Sequence, residues 1–135
     1  MLRLARSAWS AMIAHAYEGF PDEACGLLGG TGDDGTLFVP TTNADASSRT
    51  FTIDGPEQLR AERILDDQGL MLLGVVHSHT HTDAYPSPTD VEKASNPFLA
   101  GWRWVLVSLK HPEPVVRSYY VVDGRIEEEP IQLVS

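Results

Sequence analysis

The sequence predicts a single α/β domain in which a mixed β-sheet lies between helices. Leu70–Val76 is continuously apolar and ends in β-branched residues, the mark of a central strand covered on both faces. A helical apolar stripe precedes it and extended segments follow it, so the order is helix, strands, helix, strand, helix, strands. A length of 135 residues suits one domain with one core.

A short strand is expected at Leu2–Leu4. Trp9, Met12, Ile13, Ala16, Tyr17 and Phe20 then recur at i, i+3, i+4, i+7, i+8 and i+11, one apolar face of a first helix that Pro21 ends. Ala24–Gly30 is short and apolar, and the turn TGDDG pairs it with a strand at Leu37–Pro40. Thr41 to Arg49 is small and polar, hence a loop, and Phe51–Ile53 adds a short strand. Asp54 as cap, Pro56 in the first turn and Glu57 closing a capping box start a second helix, which Gly69 stops. Beyond the central strand, Ser87-Pro88-Thr89-Asp90 opens a third helix limited by Pro97. Trp102–Leu109, Val115–Val122 and Arg125–Leu133 follow as strands, the last two joined by Asp123-Gly124 as a tight hairpin.

With 42% hydrophobic and 21% charged residues, the composition is that of a globular domain rather than a disordered chain. A net charge of -9 repels nucleic acid and anionic membranes, so neither is an expected partner. Cys25 is the only cysteine, which excludes an intramolecular disulfide and makes a cytoplasmic address the simplest expectation. Arg3 and Arg6 ahead of Ser7–Ala14 faintly imitate a secretory signal, but the helical stripe runs through the supposed cleavage point to Phe20. No run reaches the roughly 18 apolar residues of a membrane span.

The chemistry concentrates in Gly74–Asp90, GVVHSHTHTDAYPSPTD. Side chains alternate along a strand, so His77 and His79 share a face with Cα atoms roughly 6.5 Å apart, within reach of one ion. A catalytic zinc takes three protein ligands and a water. Asp90 is the candidate third ligand, because Pro86 and Pro88 can turn the first turn of the third helix back over the strand end. Hydrolysis also needs a base, and Glu23, at the mouth of an apolar strand, is the candidate. Ser87 is the candidate oxyanion donor. Each residue has a plainer reading: S-x-x-D is commonly a helix cap, and H-x-H occurs by chance. Their joint occurrence in this order is much harder to obtain by accident.

Glu23, His77-Ser78-His79, seven residues, Ser87 and Asp90 resemble the JAMM motif of the JAB1/MPN metalloproteases, zinc peptidases and isopeptidases that cut after ubiquitin-like C-termini. The resemblance spans nearly the whole chain. It implies a curved sheet flanked by helices, a cytidine-deaminase-like architecture, with one zinc per chain on His77, His79 and Asp90, Glu23 as general base and Ser87 as oxyanion donor. PDEACGLL, TNADASSRTF, AYPSPTDV and RSYYVVDG are similar to the actinobacterial members that release cysteine from a ubiquitin-like sulfur carrier of the CysO, ThiS and MoaD kind, ending in Gly-Gly. The resemblance thus implies a carrier protein as partner and a role in cysteine biosynthesis, and leaves a homodimer open. Many members carry proline after the second histidine, where this chain has Thr80. Thr80, His81 and Tyr85 are candidate substrate contacts at the rim.

Three rival readings set the tests. His81 extends the run to H-x-H-x-H, but only His15 and His111 remain to build a second metal site, and a TIM-barrel amidohydrolase needs roughly 200 residues or more. Cys25 could be a nucleophile or a thiolate ligand, although a buried strand cysteine is the stronger prior. The domain could instead be a non-catalytic MPN scaffold, or an isopeptidase acting on another ubiquitin-like conjugate. All five motif positions are present, which favours a peptidase over a scaffold.

Overall fold

The computed structural model describes all residues from Met1 to Ser135. Strand β1 (Leu2–Ala5) leads into helix α1 (Arg6–Gly19), and the hairpin of β2 (Cys25–Thr31) and β3 (Asp34–Thr41) leads to α2 (Gly55–Asp67). Then come β4 (Met71–His79), α3 (Pro88–Ala94) and a 3-10 turn at Pro97–Leu99. Strands β5 (Arg103–Ser108), β6 (Val115–Val122), β7 (Arg125–Glu129) and β8 (Ile131–Val134) complete the chain. No helix is long and apolar enough to cross a membrane.

All eight strands form one sheet in the order β7-β6-β5-β4-β2-β3-β1-β8. Only Pro130 separates β7 from β8, yet these two strands stand at opposite ends of that order. The sheet must therefore roll round until its edges meet. The seam is fastened by the Leu2 N–H donating to the Pro130 carbonyl at 2.9 Å. Beside it the buried Arg103 guanidinium donates to Glu129 at 2.7 Å and to Asp33 at 2.6 Å. Helix α1 touches β1, β3 and β8 from one end of the order and β4 and β5 from its middle, so it lies in the trough of the curl. Ala8, Met12 and Ala16 are its buried positions, packed on Leu28, Val76 and Val105. On the other face of the sheet, Ala61 and Leu65 of α2 pack with Leu27, Val75 and Leu106.

Four details differ from the sequence expectation. The stripe of α1 ends at Ala16, because the helix closes at Gly19 and leaves Tyr17 and Phe20 half exposed. Phe51–Ile53 is not a strand: the Asn43 side chain accepts from the Thr52 N–H and donates to the Thr50 carbonyl, so these peptide groups are satisfied inside the loop. Arg125–Leu133 is two strands, because Pro130 has no N–H for the ladder and the chain there passes from one sheet edge to the other. Glu57 does not close a box with Asp54; Asp54 caps the helix alone, while the Glu57 carboxylate takes Arg60 and the Thr42 N–H.

The central strand forms where expected but runs on through His79. β4 lies between β2, antiparallel, and β5, parallel, and is buried without a break from Leu73 to Thr80. Gly74 is required there by close approach, since a Cβ would collide with the backbone carbonyl and side chain of Arg103. Gly74→Ala lowers the stability by about 1–3 kcal/mol. The check is a fall in the urea midpoint with an unchanged m-value; an unmoved midpoint contradicts the packing described.

Candidate active site

The two histidines lie within β4 rather than beyond its end. His77 pairs in register with Cys25 of β2 and Leu106 of β5, and His79 with Ser108 of β5. Strand alternation turns both rings to the face covered by α2 and α3, while the Ser78 hydroxyl, on the opposite face, accepts from the Ala24 N–H at 2.8 Å. Unbroken pairing with β5 from Gly74 to His79, and with β2 from Gly74 to His77, fixes the register, so the two imidazoles cannot slip away from each other.

Asp90 reaches the same point from α3. Its Oδ2 lies 3.1 Å from His77 Nε2 and 3.1 Å from His79 Nε2, and the two nitrogens lie 3.2 Å apart. Ligands about 2.0–2.1 Å from a tetrahedral zinc sit about 3.3 Å from one another, so this triangle has the size such an ion requires. The tautomer also fits. His79 Nδ1 lies 2.8 Å from the Asp83 carbonyl, which only an N–H can satisfy, so a neutral ring turns its Nε2 lone pair to the triangle. Burial holds His77 in its neutral form. Burial also opposes ionisation of Asp90, but hydrogen bonds from both histidines and from the Ser87 N–H outweigh it and hold the carboxyl well below the usual range. Burial opposes a charge on His79, but the bonds to Asp90 and to the Asp83 carbonyl outweigh it, raise the pKa and favour the charged form, so a proton now bridges its Nε2 and Asp90. A cation in that place would be offered two imidazole lone pairs and a carboxylate.

Ser87 and Asp90 form the helix cap that is the plainer of their two sequence readings. The Ser87 hydroxyl accepts from the Asp90 N–H at 3.1 Å and Asp90 Oδ2 accepts from the Ser87 N–H at 2.9 Å, a complete capping box. The cap holds Asp90 in place, and the Ser87 hydroxyl proton remains free to donate.

Glu23 precedes β2, so its side chain is carried to the Cys25–His77 pair. It is only 5% exposed, and its Oε1 has no hydrogen-bond partner. Burial pushes its carboxyl up to about 7, against the pull of a charged His79 nearby. A buried carboxylate without a donor is costly unless it serves a chemical end. Cys25 stays outside the triangle, buried with its thiol 3.3 Å from the Thr41 hydroxyl, and burial raises its pKa. That environment suits neither a thiolate ligand nor a nucleophile.

The rim residues are placed differently from one another. Thr80 is buried, with its hydroxyl 2.8 Å from His81 Nδ1. His81 is exposed beside Phe20, and Tyr85 is exposed against the edge of Tyr119. His15 has a structural partner set, its Nε2 lying 3.1 Å from the Cys25 carbonyl and 3.0 Å from that of Thr41. His111 pairs with Asp83 at the surface.

Several contributors were invisible in the motif. Phe51 stacks on His77 at 4.3 Å between centroids, and Trp104 presents its edge to the same ring at 6.0 Å. Asp83 acts through its carbonyl, which any residue could supply. The loop bearing it is held by Ser108 donating to the Thr82 carbonyl at 2.6 Å and Tyr119 donating to the Ala84 carbonyl. Beside Phe51 a groove of about 600 Å³ opens, lined by Ile53, Thr89, Lys93, Trp102 and Trp104 among others. The Lys93 ammonium lies 4.3 Å from the Phe51 centroid.

Residues 5–122 match the family model for prokaryotic homologs of the JAB domain. The chain belongs to that family. It is 42% identical over 129 residues to the CysO-cysteine peptidase of Mycobacterium tuberculosis, an alignment that covers 93% of this chain and 86% of that protein. It is 35% identical over 103 residues to the desampylase of Haloferax volcanii, covering 71% and 74% of the two chains. The solution structure of protein DSY2949 from Desulfitobacterium hafniense superposes with a TM-score of 0.88 at 37% identity, covering 99% of this chain and 93% of the other. The chain is an enzyme of this family, whose relatives are named as a peptidase and a desampylase.

Metal content of purified variants checks the ligand set. Asp90→Ala and His77→Ala lower bound divalent metal from one equivalent to near none, while Cys25→Ser retains it. Retention of a full equivalent by Asp90→Ala contradicts the triad.

Proposed function

We propose that this chain is a zinc peptidase that hydrolyses the amide after the C-terminal glycine of a ubiquitin-like sulfur carrier protein and releases cysteine. The observation that carries the reading is the triangle of His77, His79 and Asp90 with a buried, unpartnered Glu23 carboxylate beside it. The 42% identity to a CysO-cysteine peptidase supports the choice of substrate.

Zinc held by His77, His79 and Asp90 would supply a Lewis acid that polarises the scissile carbonyl and makes water acidic near neutral pH. Glu23 takes the proton of the attacking water and passes it to the departing amine, a task for which a carboxyl near pH 7 is well matched. The Ser87 hydroxyl donates to the oxygen that becomes negative in the tetrahedral intermediate. Exposed Tyr85 and His81 are the proposed contacts to the carrier or the leaving amino acid, with the Thr80 hydroxyl hydrogen-bonded to His81. Both edges of β4 are occupied, by β2 and β5, so the carrier's tail cannot pair with that strand. The overall acidity of the chain suits a carrier with a basic face.

Intact-mass analysis tests the substrate. A ubiquitin-fold carrier ending in Gly-Gly-Cys loses one cysteine residue, and a chelator stops the loss. Cleavage of isopeptide conjugates alone, with the Gly-Gly-Cys carrier untouched, overturns the substrate and favours an isopeptidase like the desampylase relative.

Two further outcomes test the mechanism. Glu23→Gln lowers kcat by about 10²–10⁴-fold and Ser87→Ala by about 10²–10³-fold, with zinc retained in both. A base must be ionised to act, so kcat/KM rises with pH through the Glu23 titration. With a cation on the triad the Glu23 titration would fall below about 7, so the acid limb is expected at or below pH 7. A kcat/KM that increases as pH falls below 6 contradicts Glu23 as the base.

A further inference from the structure

The TNADASSRTF stretch contributes no ligand, yet its asparagine is the most heavily bonded side chain near the site. Asn43 Nδ2 donates to the Glu23 carbonyl at 3.0 Å and to the Thr50 carbonyl at 2.9 Å. Its Oδ1 accepts from the Asp45 N–H at 3.0 Å and from the Thr52 N–H at 3.1 Å. Both faces of the planar amide are therefore used, two donors and two acceptors. The loop closes on itself around this hub, with the Ala44 N–H donating to the Thr52 carbonyl at 2.9 Å and the Ala46 N–H to the Asn43 carbonyl at 3.1 Å.

Two parts of the site depend on that closure. Glu23 is held at both ends of its backbone, its carbonyl by Asn43 and its N–H by the Ser47 carbonyl at 2.8 Å. The Glu23 carboxylate itself has no protein donor at Oε1, so backbone tethers rather than side-chain bonds aim it. Phe51 lies between the two residues whose peptide groups Asn43 holds, Thr50 and Thr52, and its ring stacks on His77.

We infer that Asn43 is a positioning residue that fixes the backbone of Glu23 and the Phe51 wall of the His77 pocket through one side-chain amide. It touches neither substrate nor metal and acts through Glu23, so the inference rests on the reading of Glu23 as the base. Aspartate has the same shape but no donors, so Asn43→Asp leaves the Glu23 and Thr50 carbonyls unbonded while keeping the volume. Asn43→Ala removes the hub without adding charge.

The experiment measures kcat, KM, zinc affinity by chelator competition and thermal unfolding for the zinc-loaded wild type, Asn43→Asp, Asn43→Ala and Glu23→Gln, with the Gly-Gly-Cys carrier. Both Asn43 variants are expected to lose at least 30-fold in kcat, with KM and zinc affinity within about threefold of wild type. The ligand triad stands on β4 and α3, so a positioning fault at Glu23 leaves it intact. A kcat within threefold of wild type in both variants, beside an inactive Glu23→Gln, overturns the role of Asn43 alone. An active Glu23→Gln, or no turnover of this carrier by wild type, overturns the reading of the site and this inference with it. Loss of zinc or of the cooperative thermal transition in both variants makes Asn43 a folding residue and also overturns the inference.

Discussion

The register of β4 against β2 and β5 is the constraint on which the site depends. A shift by one residue would turn His77 and His79 to the α1 side and bring Val76 and Ser78 to the metal side. Pairing along both edges, the close approach at Gly74 and the Ser78 hydroxyl on the Ala24 N–H all oppose such a shift. Because the same ladder sets Cys25 opposite His77, the residue two places before Cys25 enters beside the histidines, where Asn43 and Ser47 hold its backbone. One strand pairing thereby brings Glu23 to His77 and His79, more than fifty residues away in sequence.

The curl of the sheet serves that register. It lets α1 fill one face and leaves the other for α2, α3 and the chemistry. α3 is too short to be stable alone; its capping box and the triangle around Asp90 hold it, so the element and the site stabilise each other. Two imidazole nitrogens and a carboxylate oxygen within hydrogen-bond distance in a buried setting form a poor resting arrangement, since protons alone must bridge them. A cation in their place would let the two imidazoles be neutral and Asp90 a carboxylate.

Much of this was legible in the residues. The apolar run before H-x-H identified the central strand, and its period placed both rings on one side. Pro, Gly and Asp at helix starts and turns located α2, α3 and the last hairpin. What escaped was whatever depends on the chain returning on itself. Pro130 does not announce that β8 will join the far edge of the sheet beside β1, because that choice is made by the curl. Phe51 has the composition of a strand residue, and only the Asn43 amide, competing for the neighbouring peptide groups, makes it a ring stacked on His77. Asp83 could not be read at all, since its contribution is a carbonyl.

The central claim is the identity of the three groups that converge at the end of β4. X-ray absorption at the zinc edge of the loaded protein measures it directly. The account predicts a first shell of nitrogen and oxygen only, at about 2.0–2.1 Å, with the outer-shell scattering of two imidazoles. A sulfur shell at about 2.3 Å would place Cys25 on the metal and contradict the assignment of Asp90.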